Sequence, residues 1–335
     1  MASIPSRIGT SNSLILDGVN VGPVKSVTGG DAYADVIVER DGPTPFARKH
    51  IGQPKYEDIT TRIGLGLAKP VYDWIASTWS GKPEPKAGAI LATSATFEST
   101  SEREFTNALV TEVSVPACDA SSKEAAFLTL KFAPERVRTL NAEGATAAKP
   151  PPQKQWLTAN FRLELDGLDC SKVSRIEPFT VRQVLVQDDV GGEREPGPRS
   201  ARLEFPNLRV TLSETGSKTW ADWFEDFVLE GNSDESKERE GAIVFLASDL
   251  KAELGRIVLH HVGIFALRRP EPPAAEQVRR TVVDLYCVQM ELKVGAPAEA
   301  PAPVPSDVPE RILAGGGPRI PVVPTAPGGS TIRPA

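Results

Sequence analysis

An internal repeat is the feature of this sequence that most constrains its fold. Four pairs of segments correspond: 14–18 (LILDG) with 163–167 (LELDG), 56–60 with 205–209, 73–74 with 222–223, and 88–90 with 241–243. The first three pairs are 149 positions apart and the fourth is 153 apart. This growth falls in the polar stretch 231–240, the kind of surface loop that tolerates insertions. Self-similarity at a fixed spacing predicts two tandem copies of one structural unit.

The repeat divides the 335 residues into four segments. The first copy is expected over residues 1–140 and the second, diverged copy over 157–295. The linker between them, 141–156, contains three consecutive prolines that favour an extended chain. Residues 296–335 are rich in proline and glycine, which predicts a disordered or polyproline-like tail.

Each copy is predicted to be mainly β. Residues 33–40, 105–115 and 124–132 are β-branched or alternate between apolar and polar side chains. Each copy is also expected to have one apolar strand face: Phe105, Leu109, Val113 and Val115 in the first, and Ile257, Leu259, Phe265 and Leu267 in the second. The fold class expected for each copy is a β-sandwich or small barrel with one flanking α-helix.

The helix of the first copy is predicted over residues 70–79, with proline at its first position and Gly81 as its stop. Its apolar stripe comprises Val71, Trp74, Ile75 and Thr78, and the matching stripe of the second copy comprises Trp220, Trp223, Phe224 and Phe227, before Gly231. Trp74 and Trp223 could instead stack on a ligand. A large buried aromatic more often anchors a helix to its sheet, so we interpret five residues as core: Trp74, Ile75, Trp220, Trp223 and Phe224.

Charge and composition exclude several classes of protein. The net charge is −6 and no segment has a basic excess, so nucleic-acid binding is not expected as the main role. Cys118, Cys170 and Cys287 are widely separated, which indicates neither a disulfide framework nor a zinc site. We find no apolar run of about 20 residues and no signal-peptide core, so we expect no membrane anchor and assembly in the cytoplasm.

No constellation of catalytic or cofactor-binding residues is visible. His260 and His261 are adjacent in an expected strand, so their rings are predicted to point to opposite faces, which argues against a shared metal. Asp188-Asp189 and Asp234-Glu235 lie in polar loops and are interpreted as solvated turns. Neither a Gly-x-Ser-x-Gly motif nor a phosphate loop is present. We therefore predict no catalytic, cofactor or metal site, and a protein that is not an enzyme.

The run 49–59 (KHIGQPKYEDI), followed by Asp73-Trp74-Ile75, resembles the tail tube proteins of contractile phage tails. That family includes the inner-tube proteins of bacterial contractile injection systems. The residues that carry the motif are Lys49, Gly52, Lys55, Tyr56 and Ile59. The family's early Leu-x-x-Asp-Gly hairpin is matched by turns at Asp17-Gly18 and Asp166-Gly167. The resemblance covers residues 13–133 well and is thinner in the second copy.

The resemblance implies a structural protein. Tube domains of this family are β-barrel-like sandwiches, and six of them close into a ring that stacks into a tube inside a sheath. Two copies in one chain imply a homotrimer that forms a pseudo-hexameric ring, stacks with tube subunits and contacts sheath or baseplate proteins. Exposed strand edges and head-to-tail contacts are suited to such a ring.

Two other functions remain open from the sequence. Fused, diverged copies also suit a trimeric baseplate hub or tube-end adaptor of the same particle. A soluble duplicated β module that holds a ligand between its sheets is the alternative from another class. Whether the particle is a phage or an injection system, and what it carries, is not encoded in these motifs.

Overall fold

The computed structural model describes residues 11–40, 46–93, 99–140, 156–188, 197–271 and 279–294. The predicted tail and all of the predicted linker except Trp156 lie outside these residues. The described part is mainly β, as predicted. It contains two large sheets and one separate two-stranded sheet.

The first unit, residues 11–140, contains eleven of the described strands and one α-helix. In chain order they are β1 (Ser11–Leu16), β2 (Val19–Val24), β3 (Ser26–Thr28), β4 (Ala32–Glu39), β5 (Arg48–Tyr56), β6 (Ile59–Ile63), α1 (Lys69–Trp79), β7 (Lys86–Thr93), β8 (Ser99–Val115), β9 (Cys118–Asp119), β10 (Leu128–Ala133) and β11 (Arg136–Leu140). The strand predicted at 105–115 begins six residues earlier. The strand predicted at 124–132 begins only at Leu128, because Ala125 makes no more than an isolated bridge to Leu157.

The second unit, residues 156–294, contains the other eight described strands and the second helix. These are β12 (Phe161–Leu165), β13 (Val173–Ile176), β14 (Phe179–Asp188), β15 (Gly197–Glu204), β16 (Leu208–Ser213), α2 (Lys218–Phe224), β17 (Arg239–Leu246), β18 (Glu253–Arg268) and β19 (Arg280–Val294). A π-helical turn over Glu225–Leu229 continues α2 directly.

The two units pair their strands in the same order. The shared path is β1-β7-β8-β10-β6-β3 in the first unit and β12-β17-β18-β19-β16-β13 in the second. Strand β2 adds to β1, and β9 of the first unit adds to β13. Strand β19 takes the places of both β10 and β11, which pair with successive parts of β8. Strands β4 and β5 form an antiparallel pair, as do β14 and β15.

The correspondence extends to individual residue pairs and to the irregularities of the sheet. Leu130 lies opposite Val113 in the first unit, and Val283 lies opposite Leu267 in the second. Both long strands also contain one residue in the left-handed region at the same place, Asn107 (φ 49°) in β8 and His261 (φ 55°) in β18. The tandem duplication stays a prediction. These matched residue pairs are the structural observations that bear on it.

One predicted strand face is wrong in the second unit. Phe265 was expected to share a buried face with Leu259 and Leu267, but 44% of its surface is exposed. The pairing of β18 with β19 shifts between Ile264 and Ala266. The buried positions already change from Ile257 and Leu259 to Val262 and Ile264 across the left-handed residue His261, so the alternation of faces reverses before Phe265, which turns outward. The face expected in β8 is buried at all four positions.

The helices begin alike and end differently. Each opens with an ion pair one turn apart, Lys69–Asp73 at 2.5 Å and Lys218–Asp222 at 2.6 Å. The π turn accommodates one extra residue. The left-handed glycine after the second helix, Gly231, therefore lies 150 rather than 149 positions beyond Gly81. One of the four extra residues of the second copy is thus inside the helix and not in the loop.

Buried side chains of both units form one continuous apolar cluster. Trp74, Ile75, Trp220 and Trp223 are buried in it, and Phe224 packs against it from a half-buried position. The indole N–H of Trp74 donates to the carbonyl of Glu84, and that of Trp220 donates to the carbonyl of Asp169, both at 2.9 Å. In the described part of the chain, no helix is long and apolar enough to cross a membrane.

Close strand packing requires glycine at matching places in the two units. A Cβ on Gly88 would lie 2.1 Å from the carbonyl oxygen of Ile15 and 2.6 Å from the ring of Phe105. A Cβ on Gly241 would lie 2.2 Å from the carbonyl oxygen of Glu164. We expect Gly88→Ala and Gly241→Ala each to lower the free energy of unfolding by about 1–3 kcal/mol, because backbone must move to admit the methyl group.

Chemical denaturation of the two variants at equal protein concentration measures this cost. Gly52→Ala is the matched control, because its Cβ would meet nothing nearer than 3.5 Å. Gly52→Ala should lower the free energy of unfolding by much less than Gly88→Ala or Gly241→Ala. Equal effects at all three positions would show that the tight strand contacts at Gly88 and Gly241 are absent in solution.

Candidate assembly interface

The two adjacent histidines both lie close to glutamates. His260 Nδ1 lies 2.6 Å from Glu240 Oε2, and His261 Nδ1 lies 3.0 Å from Glu238 Oε2. The left-handed backbone at His261 interrupts the regular alternation from which opposite faces were predicted, and each ring lies beside its own carboxylate. Among the described residues, no group of three or more His, Cys, Asp or Glu side chains is placed to hold a metal.

The residues of the tube motif lie on β5 and at the start of β6. Lys55 pairs with Asp35 across the hairpin at 2.5 Å, and Lys49 is exposed on the same strand. Tyr56 is half-buried against the core, and Ile59 is fully buried in it. Gly52 lies close to the backbone of β4. The motif therefore forms the root and one strand of the β4–β5 hairpin.

The two Asp-Gly segments form turns with different continuations. Asp17 and Gly18 both have positive φ, and they join β1 to β2 in a tight hairpin. Gly167 also has positive φ (72°), but the described chain after it does not return as a strand beside β12. The second unit thus has the turn without the hairpin.

Strand β14 of the second unit pairs with β8 of the first and joins the two units edge to edge. Four antiparallel pairs make this joint, from Phe179 opposite Val115 to Arg182 opposite Glu112. Val113 and Val181, which face each other in the middle, are both buried. The C-terminal half of β8 therefore lies between β10 of its own unit and β14 of the other.

Polar contacts fix the register of the joint. The hydroxyl groups of Ser114 and Thr180 lie 2.8 Å apart. Two positions further along, Glu112 lies 3.8 Å from Arg182 and 3.9 Å from Lys131. A strand shifted by one residue would separate these groups and expose Val181, so this arrangement selects one register.

A second contact crosses between the units where β9 pairs with β13. Arg175 of the second unit lies 2.5 Å from Asp119 of the first and 2.8 Å from Glu177 of its own. Hydrogen bonds from Ser121, and after it from Arg175, hold the pKa of Asp119 below its ordinary value. The hydrogen bond from Arg175 lowers the pKa of Glu177.

We expect Arg175→Ala to lower the free energy of unfolding by about 1 kcal/mol at pH 7, because the partly exposed pair is screened by solvent. Both carboxyl pKa values are depressed in the folded state. Their contribution is therefore complete above the ordinary carboxyl range and is lost as pH falls through the depressed values. The difference between wild type and variant should close as pH falls toward about 2.

Denaturation curves at several pH values measure this difference. Arg162→Ala is the control, because Arg162 pairs at 2.6 Å with Glu164, and both side chains are about half exposed within one unit. It should change stability less. A loss for Arg175→Ala that stays constant from pH 7 to the acid range would contradict the role given to the two carboxylates.

The first helix also reaches across the joint. Trp79, at the end of α1, is buried, and its ring contacts the ring of Phe205 edge-on with centroids 6.4 Å apart. The same helix packs against β19 of the second unit. The joint thus combines a strand pairing with an apolar contact between helix and sheet.

Sequence patterns did not identify this joint. Trp79 lay outside the predicted helix stripe, and no motif marks Ser114 or Thr180. The 17 residues of β8 are the signal that was available, since a strand typically has five or six residues. A strand that long extends past its own unit and offers an edge to another.

Residues 12–138 match the family described as T4-like virus tail tube protein gp19. Among solved structures, one chain from a sheath-tube complex of an extracellular contractile injection system (PVC) is 28% identical. The match covers 39% of this chain and 88% of that one, with a TM-score of 0.34.

Two further chains match at the same TM-score of 0.34. The cap of the anti-feeding prophage, a tube-terminating protein, is 27% identical over 42% of this chain and 95% of that one. A sheath/tube terminator of the PVC system is 28% identical over 42% and 99%. No protein of curated function matches the chain.

Proposed function

We propose, from a resemblance to tail tube proteins that is confirmed over residues 12–138, that this chain forms or caps the inner tube of a contractile tail-like particle. The observation that carries the proposal is the joint between β8 and β14. Two units of matching strand order meet there edge to edge, through different surfaces on each side. A contact of this head-to-tail kind generates a ring when its rotation closes.

The two units are proposed to be tandem copies of one tube-like domain, over residues 1–140 and 157–295. The matching strand order, bulges and glycine contacts support this. A six-domain ring then requires three chains, because each chain brings one joint already made within itself. The ring stoichiometry comes from the resemblance to the family and is part of the proposal.

The role is structural and not enzymatic. The matched family is a tube protein, and the interface described above is built for pairing between units rather than for holding a substrate. The chain's place is in an assembled particle, where tube, sheath or baseplate proteins are its partners.

Electron microscopy of the purified full-length chain tests the proposal. Closed rings, or tubes of stacked rings, with six lobes per ring are the expected result. Discrete monomers at concentrations well above micromolar would contradict it and would favour the soluble binding module instead.

A baseplate hub or tube-end adaptor is the second candidate within the same particle. It is favoured by one difference between the units, since no described strand of the second unit covers β12 as β2 covers β1. Three chains with two unequal units each form a ring with threefold rather than sixfold symmetry. Rings that do not stack on one another, but cap tubes formed by a separate subunit, would select this candidate.

A further inference from the structure

The β4–β5 hairpin is a two-stranded sheet that pairs with no other described strand. It exposes apolar side chains that a water-facing hairpin does not need, among them Val36 at 61% and Ile51 at 76%. Its counterpart in the second unit, β14–β15, is anchored on β8 by four residue pairs. The first hairpin therefore resembles β14–β15, which pairs with the edge of a sheet, but no described strand of its own chain pairs with it.

A sheet edge that matches the one paired with β14 lies in β18 of the second unit. In the first unit, the C-terminal half of β8 has β10 on one side and β14 on the other. In the second unit, residues 263–268 of β18 have β19 on one side, and no described strand on the other. Phe265 is exposed on this free segment. The edge that β8 uses for the internal joint is thus open in β18.

We propose that the β4–β5 hairpin of one chain pairs with the free edge of β18 of a second copy, and so repeats the internal joint between chains. This inference rests on the proposed function and adds the partner surface and its register. The occupant of each surface is a second copy of this chain, because the internal joint shows that the two surface types fit each other.

The internal joint also predicts the register between chains. Strand pairing and bulge position match between the two hairpins at a spacing of 149 residues, which places Tyr33 at the position of Arg182. Matched pairing of β8 and β18 places Ala266 at the position of Glu112. Since Arg182 lies opposite Glu112, we expect Tyr33 to lie opposite Ala266 of the second copy.

The charges beside this pair are complementary. Asp31 precedes Ala32 and its side chain is exposed, with Arg103 at 3.8 Å as a neighbour. Arg268 and Arg269 follow Ala266 on the free edge, and both are exposed. Asp31, two residues before Tyr33, comes opposite Arg268 in the antiparallel arrangement, where the internal joint has the uncharged residues Thr180 and Ser114.

The helix contact has its counterpart as well. Trp79 packs on Phe205 in the internal joint. The residues 149 and 150 positions after Trp79 are Val228 and Leu229, and both are exposed, Leu229 at 70%. The residue 149 positions before Phe205 is Tyr56, at the root of the free hairpin. Val228 and Leu229 of one chain are therefore placed to cover the region of Tyr56 in the next.

The internal joint also restricts the order of units. The edge of β8 is already filled by β14, so a second chain can add its first hairpin only at β18. First and second units must alternate around any closed ring, and the ring contains whole chains only.

Cysteine cross-linking between chains tests this proposed pairing of the β4–β5 hairpin with β18, here called the seam. Chains with Tyr33→Cys are mixed with chains with Ala266→Cys and oxidised mildly. Residues opposite each other in an antiparallel pair have Cα atoms about 4.5–5.5 Å apart, within the range of a disulfide. We expect a two-chain product in the mixture, and in the double variant a ladder that ends at three chains.

The three native cysteines are not expected to form disulfides that would obscure the cross-linking result. Burial raises the pKa of Cys118 to about 12, and those of Cys170 and Cys287 to about 11. At pH 8 these thiols remain protonated and react slowly. A mixture of Tyr33→Cys with Gln289→Cys is the matched control, because Gln289 is exposed on β19 but lies away from the free edge. It should give no product.

The outcomes separate the seam from the function. Three-chain particles without the Tyr33–Ala266 product would overturn this seam and leave the tube function standing. Monomers without any product would overturn both. Equal products in the test mixture and in the control would show random collision and would also overturn the seam.

Discussion

Replacing Trp74 with alanine is expected to lower the free energy of unfolding by roughly 3–5 kcal/mol. The side chain is 1% exposed, and its ring lies 5.3 Å from that of Phe132. Its removal leaves a cavity between α1 and the sheet, and it deprives the carbonyl of Glu84 of its donor. Chemical denaturation followed by far-ultraviolet circular dichroism, at one fixed protein concentration, measures the loss.

Trp74→Phe is the control for the hydrogen bond. It keeps most of the apolar volume, so its cost should be about 1–2 kcal/mol, mainly from the unpaired carbonyl. A loss below about 1 kcal/mol for Trp74→Ala would show that this residue is not part of the core.

Trp79→Ala is expected to have the second-largest effect, about 3 kcal/mol, because the indole is 3% exposed and buried between the two units. Its edge-on contact with Phe205 adds to the burial. A double-mutant cycle of Trp79→Ala with Phe205→Ala should give a coupling energy of about 0.5–1.5 kcal/mol.

The coupling energy is the decisive part of that experiment. Trp79 and Phe205 belong to different units, so a positive coupling measures contact across the joint in solution. A cycle of Trp74→Ala with Phe205→Ala, whose rings are not in contact, should be additive. If the coupling of Trp79 with Phe205 is also zero, the units do not meet through this helix.

The sequence was sufficient for the features that repeat at fixed spacing. Segment 14–18 and segment 163–167 both end a first strand beside a tight glycine contact, with Asp17 N–H bonded to the Ala87 carbonyl and Asp166 N–H to the Glu240 carbonyl. The helix positions followed from apolar spacing, because burial against a sheet imposes a helical period. These are local rules, and they apply to each unit separately.

The irregular positions could not be predicted from alternation. Phe265 and His261 sit at bulges, where one extra residue reverses which face a side chain takes. Nothing in the run 257–264 distinguishes a bulged strand from a regular one. The π turn after Phe224 could not be predicted from the sequence either, because its residues continue a helical pattern.

The joint was beyond sequence reasoning for a different reason. The strand pairs of β8 with β14 link residues 64 or more positions apart, and contacts such as Ser114 with Thr180 use side chains that are common on any strand. Only the pairing of β8 with β14 makes them partners. The sequence indicated that edges would meet, and the structure identifies which edges they are.

The mass of the assembled particle tests the central claim most directly. Native mass spectrometry of the full chain should give a closed species of three chains, three times 36.0 kDa, with no stable species of two or four. A closed ring of six chains, or a particle with any number of chains not divisible by three, would contradict the account in which every chain supplies two of six places.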